Sequence, residues 1–237
     1  MAKHPAALTI GIAGAALWAA LAAAQEGGAD LPMHNTWTLI RAGGLTGFVI
    51  LILSCVALVL ILEQIITLRE RRMVPSSLVA DLEKLFGSGA LKTAEERCRQ
   101  EDTFLSRVLL PGLVERSAGL ETMEGRIEEA GRLESMRLLH RVGYLSVIAN
   151  VAPMLGLLGT VIGMIEAFGE ISRAGTPSPQ NLAGPIAKAL VTTCEGLIVA
   201  IPCVAAFYIF DHRVRRAARR CEVLVVDLLA LLRTRLA

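Results

Sequence analysis

The chain has 237 residues, 54% of them hydrophobic and 4% aromatic, with a mean hydropathy of +0.55. A water-soluble domain of that length buries an adequate core with less apolar content, so the surplus points to lipid. A formal net charge of +2 excludes the strong basic field of a general nucleic-acid binder.

Residues 1–24 read as an export signal. Lys3 and His4 precede an apolar run from Ala6 to Ala24, which ends in Ala22-Ala23-Ala24 before Gln25. An uncleaved anchor is the alternative, and either choice leaves 25–41 as a periplasmic segment. Three apolar runs follow, each close to the roughly 20 residues that a membrane-spanning helix needs. They are 42–62, between Arg41 and Glu63; 142–165, between Arg141 and Glu166; and 188–210, from Lys188 to Phe210, with Glu195 inside it.

Lys and Arg distribution sets the expected orientation. The stretch 166–187 carries one such residue, Arg173, whereas the tail 211–237 carries seven, all arginine. Arg69, Arg71 and Arg72 follow the first span, and Arg137 and Arg141 precede the second. Residues 63–141 and the tail are therefore expected in the cytoplasm. The expected periplasmic loop, 166–187, carries a turn at Gly175–Pro179.

The cytoplasmic insert is charge-dense but nearly neutral, with 13 basic and 14 acidic residues. Ser76 or Ser77 is expected to cap a helix with Leu78, Val79, Leu82, Leu85 and Phe86 on its apolar face, ended by Gly87-Ser88-Gly89. Further helices are expected near 90–100 and 103–118. A longer one starts near Glu121 and, lacking a breaker, runs into the second span as one rod. In the tail, basic Arg213–Arg220 precedes apolar Val223–Leu232. A helix that continues from the third span and packs against a neighbour, and a helix lying on anionic lipid, are both compatible with that pattern. The expected class is thus an all-α, polytopic membrane protein. Three transmembrane helices extend into long cytoplasmic helices within an oligomeric helical bundle.

Five cysteines, Cys55, Cys98, Cys194, Cys203 and Cys221, match no metal or redox spacing and read as reduced, inert thiols. Walker, HExxH, GxSxG and GxGxxG motifs are absent and no histidine lies in a span. Neither an enzyme centre, a metal site nor a cofactor is expected. The informative residues are polar or small groups inside the spans. Gly159 and Gly163 form a small-xxx-small pair, with Gly156 one turn before them, and Pro153 frees a carbonyl and can kink the helix. Gly196 and Pro202 are their counterparts in the third span. Lys188, Thr192 and Glu195 share one side of that span, and Thr193 lies on nearly the opposite face from Glu195. Because the two spans are antiparallel, Thr160 and Thr193 come to similar depth, roughly 8 Å below the outer helix ends. A ring of such pairs in an oligomer would line a polar lumen. A carboxylate in lipid is costly, so Glu195 must face protein or water.

Ala152–Gly163 (APMLGLLGTVIG) resembles the second-span signature of the MotA/TolQ/ExbB proton-channel family. Ile186–Thr193 (IAKALVTT) with Gly196–Pro202 (GLIVAIP) resembles its third-span signature. The order of spans also fits, over roughly residues 40–225, and is nearest to ExbB. The resemblance implies a bacterial inner-membrane protein, periplasmic at its N-terminus after signal cleavage and cytoplasmic at its C-terminus. It implies a homopentamer around a dimer of a one-span ExbD/TolR-like subunit, driven by proton flow and acting on a TonB-like transducer. Thr160 and Thr193 would line the lumen. Where relatives often carry a glutamate, this chain has Lys188. Glu195 is expected to replace that carboxylate, paired with Lys188 of its own or a neighbouring subunit, or else to form an ordinary buried ion pair that fixes register. Two alternatives to TonB-dependent transport stay open: a TolQ-like or gliding-type motor subunit for envelope work, and a non-conducting oligomeric scaffold.

Overall fold

A computed structural model describes residues 44–174 and 179–236. The expected signal and the segment 25–41 lie outside those residues, as does most of the turn at Gly175–Pro179. The described chain is helical, with no strand among the described residues. Helix α1 is Gly44–Thr67, α2 Glu70–Met73, α3 Ser76–Ser88, α4 Leu91–Gln100 and α5 Phe104–Val114. A 3-10 turn at Arg116–Ala118 leads to α6, Leu120–Ala174, and then to α7, Pro179–Leu236.

Helix α6 has 55 residues and α7 has 58. At 1.5 Å per residue each is over 80 Å long, about 50 Å more than a bilayer core requires. Both run unbroken because nothing stops them. Pro153 in α6, and Pro185 and Pro202 in α7, sit inside continuous helix. Three helices, α1, α6 and α7, are long and apolar enough to cross a membrane.

α6 and α7 form an antiparallel hairpin. Ion pairs join it near both ends, Glu166 with Lys188 and Glu124 with Arg233. Helix α1 lies against its apolar half. Ile50 and Ala57 pack there against Ile148, Ala149 and Ala152 of α6 and Val199, Ala200 and Cys203 of α7. At the other end, α3, α4 and α5 fold onto the hairpin around a dense core. Leu78, Leu82 and Phe86 of α3, Leu105, Leu109 and Leu113 of α5, and Val214 and Cys221 of α7 are nearly inaccessible.

Several local expectations are sharpened. The residue before α3 is Pro75, with φ −66° and no side-chain cap, so Ser76 is already helical. Proline's fixed φ sets the helix entry that a serine cap was expected to make. That helix runs through Gly87 and Ser88, and Gly89, at φ +72°, supplies the left-handed stop. The third bundle helix ends at Val114, and Thr103 caps it by accepting from the Ser106 backbone N–H at 3.1 Å. The stretch expected as a loop, 166–187, is mostly helix, because no strong breaker follows Glu166 before Ala174. Of the two arrangements left open for the tail, the structure shows the packed one: it continues α7, and Val214, Ala217, Leu228 and Leu232 are buried in the bundle core of their own chain.

Candidate functional site

The site is the apolar half of the α6–α7 hairpin, where the closest contacts involve residues with almost no side chain. A Cβ on Gly196 would lie 2.6 Å from the Ala152 carbonyl oxygen. One on Gly163 would lie 2.7 Å from the Ala189 Cβ and 2.8 Å from the Pro185 carbonyl oxygen. One on Gly156 would reach the Thr193 Cα at 3.0 Å, and one on Gly159 would overlap the Thr192 side chain. Any of these additions would force the helices apart. The glycines thus bring backbone to backbone, which is how helices associate in lipid without a hydrophobic drive between them.

Threonines occupy the room so created. Thr192, only 1% exposed, wedges over Gly159 and donates to the Ala189 carbonyl at 2.9 Å. The Thr193 hydroxyl lies within hydrogen-bond reach of two carbonyls, Gly156 on the facing helix at 3.1 Å and Ala189 on its own helix at 3.4 Å. The half-buried Thr160 donates to Leu157 of its own helix at 2.7 Å. Because Gly159 faces Thr192, Thr160 and Thr193 lie within about one helical turn of each other in depth. Each hydroxyl spends its proton on a carbonyl and keeps its oxygen lone pairs as acceptors.

Two charged features flank this seam. At the loop end, Lys188 Nζ meets both carboxylate oxygens of Glu166, at 2.9 and 3.0 Å. Lys188 also lies against Gly44, the first residue of α1: a Cβ there would sit 3.0 Å from the Lys188 Cε. Seven residues deeper on the same face is Glu195, about 10 Å further into the span. Its Oε2 is buried and has no hydrogen-bond partner among the described residues.

Lys188 therefore pairs with Glu166 and not with Glu195 of its own chain. The reason is reach: a carboxylate on the neighbouring helix stands level with the ammonium, whereas Glu195 is nearly two turns away. Glu166 is the residue that sequence reasoning missed. Its signal was its position, the last charge of one span facing the first charge of the next across a short connection.

The five cysteines are free, and burial pushes the Cys98 thiol up to about 11 and the Cys221 thiol to about 12. No group of three metal-binding side chains gathers among the described residues.

Residues 97–223 match the model of the MotA/TolQ/ExbB proton channel family. The chain is 31% identical over 163 residues to a putative biopolymer transport protein, ExbB-like 3, of Synechocystis, covering 68% of this chain and 77% of that one. It is 37% identical over 100 residues to a Xanthomonas campestris biopolymer transport protein ExbB, covering 42% and 40%. It is also 43% identical over 77 residues to the Haemophilus influenzae Tol-Pal system protein TolQ, covering 32% and 34%. The match thus spans well under half of the latter two relatives. A chain in the structure of Campylobacter jejuni MotAB superposes with a TM-score of 0.57 at 18% identity, covering 97% of this chain and 89% of that one. At that identity the likeness concerns the fold.

Proposed function

Because this chain belongs to the MotA/TolQ/ExbB proton channel family, we propose that it is the channel-forming stator subunit of an inner-membrane motor driven by the proton motive force. The motor energises TonB-dependent transport across the outer membrane. Five copies surround a dimer of an ExbD/TolR-like subunit, and the extramembrane bundle lies in the cytoplasm. The similarity to ExbB relatives supports the TonB-linked role, and the TolQ relative keeps envelope work as the second reading.

The observation that carries the ion-path reading is Glu195. It is a carboxylate deep in an apolar span with one oxygen buried and unpartnered, at a cost of about 3 kcal/mol or more in lipid. Such a group is retained where something supplies it with a proton or a donor. The partner's span and a file of water in the lumen are both suited to do so. Thr160, Thr192 and Thr193 offer acceptor oxygens at the neighbouring level, and Glu166 with Lys188 holds the outer end of the hairpin closed. In this reading Glu195 takes over the carboxylate role, and Lys188 serves structure through Glu166.

Glu195→Gln tests this. The amide matches the carboxylate in shape and cannot carry a proton. We expect the oligomer to assemble normally and proton-driven uptake in a complementation assay to fall at least about tenfold, in line with the loss of a positioned proton carrier. Uptake equal to wild type at equal protein level would remove Glu195 from the path.

A further inference from the structure

At the bundle-side end of the membrane, α1 and α6 part around a cavity of about 270 Å³. Glu63 and Thr67 line it from α1, and Arg141 and Tyr144 from α6. The two helices are pinned beside it by a neutral bond: Gln64 Nε2 donates to the Arg141 backbone carbonyl at 3.1 Å. Glu63 and Arg141 form no ion pair with each other or with any other described residue. The cavity therefore holds one unpaired carboxylate on one wall and one unpaired guanidinium on the other.

The adjoining cleft differs. It shares Thr67, Leu68 and Leu138 with the cavity, but its charges are mostly satisfied. Arg107 bonds Asp102 at 2.7 Å and Glu134 at 2.6 Å. Those acids are not competitors for a ligand's cation. Depth identifies the occupant's surroundings. Arg141 directly precedes the apolar run of α6, and Thr67 ends α1, so the cavity sits in the headgroup layer. From it, exposed Val56 and Val59 on α1 and Val147 and Val151 on α6 lead into the hydrocarbon.

We propose that this cavity binds the headgroup of a zwitterionic phospholipid carrying a primary ammonium. The phosphate is taken by Arg141 with the Thr67 hydroxyl as a second donor, and the ammonium by Glu63. A quaternary choline has no N–H to give Glu63, and a glycerol headgroup has no cation for it. Guanidinium–phosphate and ammonium–carboxylate bonds are charge-assisted, and together they outweigh either alone.

The test is native mass spectrometry of the full chain, delipidated in detergent and then exposed to phosphatidylethanolamine, phosphatidylcholine and phosphatidylglycerol with matched acyl chains. Wild type should retain phosphatidylethanolamine about tenfold better than the other two, the worth of one added charge-assisted bond. Glu63→Gln should abolish that preference while keeping phosphatidylglycerol bound. Arg141→Gln should lower retention of all three about tenfold, and it leaves the backbone carbonyl that holds Gln64. Equal retention of the three lipids by wild type would overturn the proposal, as would a preference that survives Glu63→Gln. Displacement of the lipid by inorganic phosphate would show a free-anion site instead. An assembled oligomer that retains none of the three lipids would overturn it as well. Proton-driven work is not read in this experiment, so its outcome is independent of the motor reading.

Discussion

Helices α6 and α7 meet twice, once in the apolar half of the hairpin and once in the extramembrane bundle, and they meet by different means. In the apolar half the contact is glycine against backbone, with threonine hydroxyls closing onto carbonyls. In the bundle it is Met123, Ile127, Val214 and Leu228 against the leucines of α3 and α5, rimmed by ion pairs. The same two helices thus change their chemistry of association with their solvent. Water drives large apolar side chains together. Lipid gives no such drive, and close approach with satisfied polar groups takes its place.

The comparison predicts that adding bulk is worst in one half and removing it is worst in the other. Gly159→Leu forces a side chain into the space of Thr192. Overpacking of this kind costs about 1–3 kcal/mol or more, and rotating Thr192 would not relieve it, because the added atom also crowds the Thr192 Cβ at 2.6 Å. We expect loss of the monodisperse peak that wild type gives on size-exclusion chromatography. Gly169→Leu, on the same helix with nothing within 4 Å of the added Cβ, should behave as wild type. If both variants elute alike, the close seam does not hold the hairpin. In the bundle, Leu109→Ala empties a fully inaccessible position and should cost about 2–5 kcal/mol. Thermal unfolding followed on the bundle should show it, with the membrane seam unaffected. A change below about 1 kcal/mol would mean that this core is loosely packed.

The two halves were not equally legible. The apolar runs gave away the three long helices, and the absence of a breaker between Glu121 and the start of the second span at Val142 announced the rod that became α6. Gly159 and Gly163 announced a close helix contact, because small residues four apart in a span have few other uses. What no single helix discloses is register between helices. Whether Lys188 meets Glu166 or Glu195 depends on where the hairpin turns. The expected short loop set Glu166 and Lys188 at a common level, but a common level does not disclose which side chains face each other across the hairpin. The docking of the tail was hidden for a similar reason. Val214, Ala217 and Cys221 form a sparse apolar stripe among arginines, and only the facing leucines of α3 and α5 show it to be a core surface.

The smallest expected difference between the halves is their response to acid. The bundle is bound at its surface by carboxylates that arginine hydrogen bonds hold below the usual carboxylate range. Arg126 does this to Glu115, and Arg99 with Arg116 to Glu95. A carboxylate with a lowered folded-state value stabilises the fold fully above its unfolded value, and that contribution disappears as pH falls through the folded one. The loss therefore begins as pH falls into the ordinary carboxylate range and is complete only below the lowered folded values, well away from neutrality. Among the described residues, the apolar seam holds no comparable ion pair except Glu166 with Lys188 at its end. Amide hydrogen exchange from neutral pH down to about 3, corrected for intrinsic rates, should show α4 and α5 loosening before residues 152–163 of α6. Because these pairs are exposed to solvent, the effect should be modest and weaker still in high salt. Glu115→Gln should flatten the acid response around α5 and leave that of the seam unchanged. If the seam loosens first, its cohesion depends on a titrating group in the span, and Glu195 would be the first to examine.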